Sequence, residues 1–492
     1  MLWDSNCSTV LTESDYVDRD YRAEYAAHYS TLLESVEPTS TRLHFFRQKL
    51  HTIDDVYTTG SEHYLGFTAI RPLLFVGPGG VRHGQVGRTL LRSNPAPAGK
   101  EYVVCSGLHR ANIGGAEFEL RVAPFLQQDS QVGSCAHAAI WMATQSPIDR
   151  YCSRPYSIPE IGEMATRSLS LGRTRPSGGL TIYQTLEALR LMGYSPISFE
   201  IEQPEEQSRR ADVIKRYDAD PSRSPREIIY RYVESGVPVI LAVQRVNSPE
   251  HHAVTVVGHT YDPPSGLNRI RDGFRWPTEL IPFFVCHDDA LGPYLHTEII
   301  DGGLRIREHW VGQTVDSFLH NIIVPLPPKV YLTGEAATKK AMDYLSHPGI
   351  MSNYKAVAPA KLRSESGADI FSRGCLRTYL RLSNEFKADL RETEIAPSVR
   401  ETYQQMRMSR FVWVCELSLL EHVDSATEGE RKMFGEILFD CTASAFSEAF
   451  LAIHLPGMLL VRDLEKKGLF EGWKVKAVPD DRPYKHLVRS SE

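Results

Sequence analysis

The sequence predicts an α+β fold in three parts, and three observations support this prediction. Within residues 1–122, residues 1–42 are polar and predict a helical arm. Residues 43–122 contain short apolar segments separated by Gly- and Pro-rich turns, which indicate a small β-rich unit. Residues 123–328 place helices with recognisable starts before long apolar strands. Residues 329–492 alternate helices and strands again, as in a separate α+β domain. The boundary at 328 follows from Pro325-Leu326-Pro327-Pro328, because such a proline cluster continues neither a helix nor a central strand.

The composition indicates a cytoplasmic protein without a nucleic-acid or membrane partner. The chain has 492 residues, 42% hydrophobic content and a net charge of −6, so bulk charge does not favour nucleic-acid binding. Its eight cysteines are scattered without a C-x-x-C pair, which fits a reducing compartment. No signal peptide is visible, and the longest apolar run, residues 450–461, is too short to span a bilayer.

In the first part, a helix is expected over residues 42–50. Strands are expected over residues 64–72, 86–91, 102–105 and 117–122. In the second part, helices should start at Cys135 and at three capping boxes, formed by Ser157 with Glu160, Thr181 with Gln184, and Ser224 with Glu227. Residues 201–223 are dense in charge and predict a solvated insertion, and the tail from residue 478 is polar. In the third part, helices are expected over 335–347, 376–390 and 399–408, with strands over 411–417, 435–440, 449–453 and 458–461.

Cys135 is the candidate nucleophile. It follows Gly133-Ser134 at the point where a loop turns into a helix. The free N–H groups and the dipole at a helix N-terminus stabilise a thiolate, which is the reactive form of cysteine. The alternative is a small buried cysteine without a chemical role, since free cysteine is among the most buried residue types.

A histidine and an acid follow Cys135 at the ends of apolar strands. His252 leads into the strand Ala253 to Gly258, and Asp288 ends the strand that begins at Phe283. A cysteine, a histidine and an acid supply a nucleophile, a base and a group that orients the base. Adjacent strand residues point to opposite faces, so only one of His251 and His252 can face the cysteine, and Asp289 competes with Asp288 in the same way.

At these residues, roughly 120–300, the chain resembles the papain-like cysteine peptidases, in particular bacterial members related to leader peptidases. Gly133-Ser134-Cys135 is similar to their nucleophile segment, and His252-Ala253-Val254 is similar to their histidine strand. The resemblance implies a helix carrying Cys135 packed on an antiparallel sheet that carries His252 and Asp288. It also implies cleavage of a peptide or isopeptide bond through a thioester, with no cofactor and no metal, and a protein or peptide as substrate.

The resemblance departs from the family at the oxyanion glutamine, which usually lies six residues before the cysteine. Asp129 occupies that position, and Gln128 lies one residue earlier. We assign Gln128 to the oxyanion hole, with the Cys135 backbone N–H as the second donor. The flanking parts of the chain are expected to bind the substrate or a protein partner.

Three alternatives remain at the level of sequence. The displaced glutamine keeps open a dormant papain-like scaffold, and the same triad could serve an acyltransferase or a deamidase. A metal site could use His251, His252, His287, Asp288 and Asp289, although no two of these histidines have the i, i+4 helical spacing of a metallohydrolase.

Overall fold

The computed structural model describes most of the chain, with gaps in loops and at both termini. The described residues are 5–76, 82–93, 100–129, 131–146, 154–168, 175, 177–201, 223–246, 248–249, 251–261, 275–300, 303–307, 314–357, 374–392, 395–419, 433–444, 446–462 and 473–477. The expected insertion at 201–223 and the tail from 478 lie almost wholly outside these residues. The predicted α+β class is confirmed: helices pack on sheets whose strand pairs are antiparallel.

The first part is built on a four-stranded sheet. Its elements are β1 (Thr9–Tyr16), α1 (Arg19–Ala27), β2 (Ser40–Phe46), α2 (Asp55–Thr58), β3 (Tyr64–Val76), β4 (Arg82–Leu91), β5 (Lys100–Tyr102), β6 (Gly107–Ile113) and β7 (Ala116–Val122). Strands β1 to β4 follow each other in the sheet, and β6 and β7 form a separate hairpin. The helix predicted over 42–50 is wrong, because this segment begins within β2. There Arg42 is buried and pairs with Glu13 of β1 at 2.6 Å.

The second part is a sheet that closes on itself, with helices around it. Its elements are α3 (Cys135–Gln145), α4 (Ile158–Thr166), α5 (Ile182–Leu191), β8 (Ile197–Glu200), α6 (Pro225–Glu234), β9 (Val239–Arg245), β10 (His251–Tyr261), β11 (Phe284–Asp288), β12 (Gly292–Ile300), β13 (Gly303–Arg307) and β14 (Thr314–Val324). The strand order is β11-β12-β13-β14-β9-β10, and β10 also pairs with β11, which closes the ring. Strand β8 adds to β14, and β5 from the first part adds to β10.

The predicted helix starts of this part are confirmed, with one difference in detail. Capping boxes are formed at Ser157 and at Thr181. At the third start the Ser224 side chain accepts the Glu227 N–H, but the Glu227 carboxylate bonds to Thr278 in the neighbouring segment instead of closing the box. The start of α6 therefore has the Ser224 half of a capping box, and its Glu227 carboxylate instead connects the helix to the segment that contains Thr278.

Helix α3 is buried against the closed sheet. Every residue from Ala136 to Gln145 is buried, and the Thr255 hydroxyl of β10 donates to the Ala139 carbonyl at 3.3 Å. Alanines on this helix let its backbone lie close to the strand, because they have no side-chain atoms beyond Cβ. The packing fixes the start of α3 beside the start of β10.

The third part is a six-stranded sheet with helices. Its elements are α7 (Gly334–Ser346), α8 (Pro348–Val357), β15 (Gly374–Leu382), α9 (Ser383–Glu392), α10 (Pro397–Gln405), β16 (Phe411–Leu419), β17 (Gly435–Asp440), β18 (Phe450–Leu455), β19 (Met458–Arg462) and β20 (Trp473–Ala477). Strands β15 to β20 follow in sequence order. The helix predicted over 376–390 is wrong in its first half, which is β15. There Arg377 is buried between Glu234 and Glu416.

The second and third parts share one apolar core, although the boundary at 328 remains a prediction. The proline segment is largely buried, and the Leu326 carbonyl accepts the Ser195 N–H at 2.8 Å. A buried ion pair joins Arg231 of α6 to Glu335 of α7 at 2.6 Å. Among the described residues, no helix is long and apolar enough to cross a membrane.

Candidate active site

The start of α3, the start of β10 and the end of β11 meet at one place. His252 Nε2 lies 2.9 Å from Asp288 Oδ1, and the Cys135 side chain lies close enough to the same imidazole to raise its pKa. Pairing of β10 with β11 places the histidine and acid strands side by side, and the packing of α3 on β10 adds the cysteine. The structure therefore brings together three of the four predicted site residues.

Asp288 is held as an anion at the end of β11. Its Oδ1 also accepts the N–H groups of Ala290 at 2.9 Å and Leu291 at 3.2 Å, and the Arg245 guanidinium lies 3.6 Å from Oδ2. Burial raises the pKa of this carboxyl, but the hydrogen bond and charge of His252, with the Ala290 N–H and Arg245, outweigh burial and leave the pKa below its ordinary value. Asp288 can therefore orient the imidazole and stabilise its protonated form.

Asp289 occupies a different environment, although it is the next residue. Its Oδ1 lies 3.5 Å from His252 Nε2, beyond a good hydrogen bond, and neither carboxylate oxygen has a hydrogen-bond partner among the described residues. Burial, with the nearby Asp288 charge, raises its pKa to about 7 although the charge of His252 opposes this. The geometry thus places Asp288, and not Asp289, as the direct partner of the histidine.

The surroundings of His252 favour the protonated form of its imidazole. Burial lowers its pKa, but the hydrogen bonds to Asp288 and Cys135 and the two carboxylate charges raise it to about 10. An imidazolium beside Cys135 stabilises a thiolate by direct charge attraction. The site therefore places the His252 ring between the Cys135 side chain and the Asp288 carboxylate.

The neighbouring histidines do not enter the site. His251 is exposed and its ring lies against His320, on the face of β10 opposite His252. His287 is buried between the rings of Phe125 and Tyr294, and burial lowers its pKa to about 3. Both positions follow from the period of two along a strand.

A metal has a possible ligand set in the same place. The ligand atoms of His252, Asp288 and Asp289 lie within 4.8 Å of one another. A histidine ligand must be deprotonated, and the pKa of His252 is raised to about 10, so proton competition opposes metal binding at neutral pH. The absence of a metal, which the resemblance implies, stays a prediction.

Asp129 shapes the loop that leads to Cys135. Its Oδ1 accepts three consecutive N–H groups, those of Gln131, Val132 and Gly133, at 2.9–3.1 Å, and its Oδ2 accepts the Tyr29 hydroxyl. A glutamine amide offers one acceptor oxygen and could not reproduce both sets of bonds. The position where the family has its glutamine therefore carries a loop-forming residue here.

Small and polar residues complete the turn into α3. A Cβ at Gly133 would lie 2.6 Å from Ile158 Cγ2, so only glycine fits there. Ser134 is the N-cap, and His137 Nδ1 accepts the Ser134 N–H at 3.2 Å. Burial lowers the pKa of His137 to about 4, so its imidazole stays neutral and can accept this bond.

Gln128 is half-buried in the loop before Asp129. Among the described residues, no hydrogen bond joins its side chain to Cys135, so its role in an oxyanion hole stays a prediction. The Cys135 N–H belongs to the first turn of α3, where backbone donors have no partner within the helix.

The polar arm at the N-terminus holds this loop, which sequence reasoning missed. Asp20 accepts the Trp141 indole N–H at 3.1 Å, and Glu24 pairs with Arg71 at 2.8 Å. Arg71 in turn donates to the Gln127 carbonyl at 2.6 Å. These contacts join residues far apart in sequence, and no local spacing signals them.

Comparison with known proteins gives no further support for a class. The chain matches no protein-family model, and a search of curated proteins returns no match.

Proposed function

We propose that this protein is a papain-like cysteine hydrolase that cleaves a peptide or isopeptide bond. The observation that carries this proposal is the imidazole of His252, which contacts both the Cys135 side chain and the Asp288 carboxylate. A base held between a helix-start cysteine and a buried acid is the arrangement that activates a thiol for acyl transfer.

The reaction runs in two half-reactions. The Cys135 thiolate attacks the carbonyl carbon, and the carbonyl oxygen becomes an oxyanion. The His252 imidazolium gives its proton to the leaving amine, the C–N bond breaks, and a thioester to Cys135 remains. His252 then takes a proton from water, and the hydroxide adds to the thioester. The C–S bond breaks, which releases the carboxylic acid and restores the Cys135 thiolate.

The oxyanion would be stabilised by the Cys135 N–H and by Gln128. Removing one donor of this kind typically costs ~2.7–4 kcal/mol of barrier. The α3 dipole acts in the same direction, since the oxyanion forms at the positive end of the helix.

The remaining parts of the chain support substrate recognition inside the cell. Their role as the surfaces that bind a protein substrate is part of this proposal, because the segment with the triad would suffice for hydrolysis. A cytoplasmic location is also proposed, and the free thiols of all seven described cysteines are compatible with it.

The test compares new protein N-termini in a proteome incubated with the wild-type protein and with Cys135→Ala. We expect termini that appear only with the wild type. Running the reaction in ¹⁸O-labelled water separates hydrolysis from acyl transfer, because hydrolysis places one ¹⁸O in the new carboxylate. No wild-type-specific termini and no labelled or conjugated product would leave the dormant scaffold as the better interpretation.

A further inference from the structure

A half-open apolar cavity of ≈ 330 Å³ lies between the first part and the closed sheet, beside the turn Asp289–Leu291 that follows Asp288. Its apolar lining comes from both: Phe45, Val86 and Leu91 on one side, and Leu291, Pro293 and Leu295 on the other. The volume lies at the lower end of the range for ligand pockets.

The two chain segments that carry the nucleophile and the acid both form walls of this cavity. Phe125 and Gln127 line it, and the chain runs from there to Cys135. This segment is fixed to β4, since Thr89 and Phe125 exchange backbone hydrogen bonds at 2.8 and 2.9 Å. The opposite wall contains Ala290 and Leu291, whose N–H groups hold Asp288 Oδ1. A group seated in the cavity therefore touches both catalytic segments.

Apart from the Asp289 carboxylate, which has no partner among the described residues, the threonine hydroxyls and the Gln127 carbonyl oxygen in the walls are already engaged. The hydroxyls of Thr68 and Thr89 bond to each other at 2.6 Å, and Gln127 Oε1 accepts the Val86 N–H at 2.9 Å. The Asp289 carboxylate oxygens are buried and lie toward His252. An occupant consequently finds apolar surface and few open hydrogen-bonding groups.

We propose that this cavity is a specificity pocket that receives apolar side chains of a peptide substrate. The proposal rests on the proposed function and names the substrate class for it. A peptide is favoured as the occupant because a chain that crosses Cys135 and His252 passes the segments that form the walls. The cavity is large enough for a large aliphatic or aromatic side chain and part of a neighbouring one. Occupancy would also hold the Ala290–Leu291 turn, and with it Asp288, in place.

The direct test is binding without catalysis. Full-length Cys135→Ala protein is irradiated with the peptide acetyl-Ala-(photo-leucine)-(photo-leucine)-Ala-amide, and cross-links are mapped by mass spectrometry. We expect cross-links at the lining residues, lost at least tenfold when Val86→Phe fills the cavity. The matched control is Val10→Phe, because Val10 is 54% exposed on the same sheet and does not line the cavity. Cross-links elsewhere, or cross-links unchanged by Val86→Phe, would overturn the proposal.

A competition arm and a cleavage arm separate the remaining outcomes. Decanoate that displaces the peptide far better than acetyl-Leu-Leu-amide would assign the cavity to free acyl chains and also overturn the proposal.

In a digest of proteome-derived peptides, the wild-type protein should prefer Leu, Ile or Phe at one or two positions by about 10- to 100-fold over Asp. Val86→Phe should remove this preference while peptides with Ala there are still cut. If the protein cleaves peptides without this preference, the pocket proposal fails and the hydrolase proposal stands. If the peptide cross-links in the cavity but the wild-type protein cleaves nothing, the hydrolase proposal fails and the cavity still binds apolar side chains.

Discussion

His252 and Asp288 are joined through Nε2 of the imidazole and Oδ1 of the carboxylate, 2.9 Å apart. This pairing leaves Nδ1 as the ring nitrogen for Cys135 and fixes the ring between Cys135 and Asp288. The orientation depends on the strands, since β10 and β11 pair directly and His251, one residue earlier, points the other way.

Loss of this pairing should remove the special reactivity of Cys135. We expect His252→Ala to slow alkylation of Cys135 by iodoacetamide at pH 6.5 by roughly tenfold or more, because no imidazolium then stabilises the thiolate. Peptide mass spectrometry measures the rate at each cysteine over a pH series. His251→Ala is the matched control and should alkylate like the wild type.

The informative comparison is between the alkylation rate of Cys135 in the wild type and the rate of the same cysteine in His252→Ala. Most other described cysteines are buried, and burial raises the pKa of Cys286 to about 12, so their slow reaction would say little about Cys135. Half-buried Cys7 serves as an internal standard. Equal rates for Cys135 in the wild type and His252→Ala would count against the cysteine–histidine pair.

Asp288→Asn and Asp289→Asn should separate the roles of the two acids. An amide at 288 can still accept from His252 but no longer balances the imidazolium charge, so we expect at least a tenfold slower alkylation of Cys135 at neutral pH. Asp289→Asn should change the rate less, because its carboxylate makes no hydrogen bond to the histidine. Rates from the same alkylation series decide this, and a larger loss at 289 would reverse the assignment.

Asp289 should also destabilise the fold as it ionises. Its pKa is raised by burial to about 7 in the folded protein, against ~3.9 for an unfolded carboxyl. The folded state therefore binds more protons, and stability is lost as pH rises from about 4 to 7. We expect Asp289→Asn to be more stable than the wild type at pH 8 by about 2–4 kcal/mol, with the gap vanishing below pH 4.

Urea unfolding at several pH values measures this difference. Asp316→Asn is a suitable control, since Asp316 lies in an exposed ion pair with Arg305 and should show no comparable growth of the gap with pH. A gap for Asp289→Asn that is constant across pH 4 to 8 would contradict the burial of a titrating carboxyl.

Tyr29→Phe should loosen the loop before Cys135. The Tyr29 hydroxyl donates to Asp129, which binds three N–H groups of that loop. Removing one partner of a buried bond to a charged group costs about 1.5–3 kcal/mol of stability. We also expect kcat to fall with KM little changed on any peptide the wild type cuts, because the oxyanion donor moves.

Tyr25→Phe on α1 is the matched control. No hydrogen bond to the Tyr25 hydroxyl is present among the described residues, so both stability and kcat should stay near wild type. A Tyr29→Phe protein that is destabilised yet keeps its kcat would give Tyr29 a structural role alone.

The chemistry-bearing residues could be predicted from the sequence better than the surroundings that hold them. Cys135, His252 and Asp288 each stand at the end of an element whose local pattern is clear, and the structure brings them together. Asp129 and Tyr29 could not be paired, because their contact spans 100 residues and needs the tertiary fold. Gln128 rested on the resemblance alone, and the structure gives Asp129 the loop contacts instead.

The wrong helix over 376–390 has a related cause. Leu376 and Leu380 have helical spacing, and Arg377 and Arg381 resemble a solvated face. In β15 these residues lie in a strand with almost every side chain buried, so the alternation that marks a strand is absent. A buried arginine is compatible with this only because Glu234 and Glu416 stand opposite it, and neither partner can be read from local sequence.

Arg377 links the third part to the strand that carries His252, and this link gives the last prediction. Glu234 accepts from Arg377 and also lies 2.7 Å from His259 Nε2, in the same strand β10. Arg377→Leu leaves the Glu234 carboxylate buried without its cation, which should cost about 3–5 kcal/mol of stability at pH 7. Burial raises the pKa of Glu234, but Arg377 and His259 lower it to about 2, so its contribution is present above pH 4–5 and lost toward pH 2. The loss of stability in Arg377→Leu, measured by urea unfolding, should therefore be smaller at pH 3 than at pH 7.

Arg305→Leu, in the exposed pair with Asp316, is the matched control and should change stability little at either pH. A deficit for Arg377→Leu no larger than that of Arg305→Leu would mean that the third part does not hold the histidine strand through this charge pair.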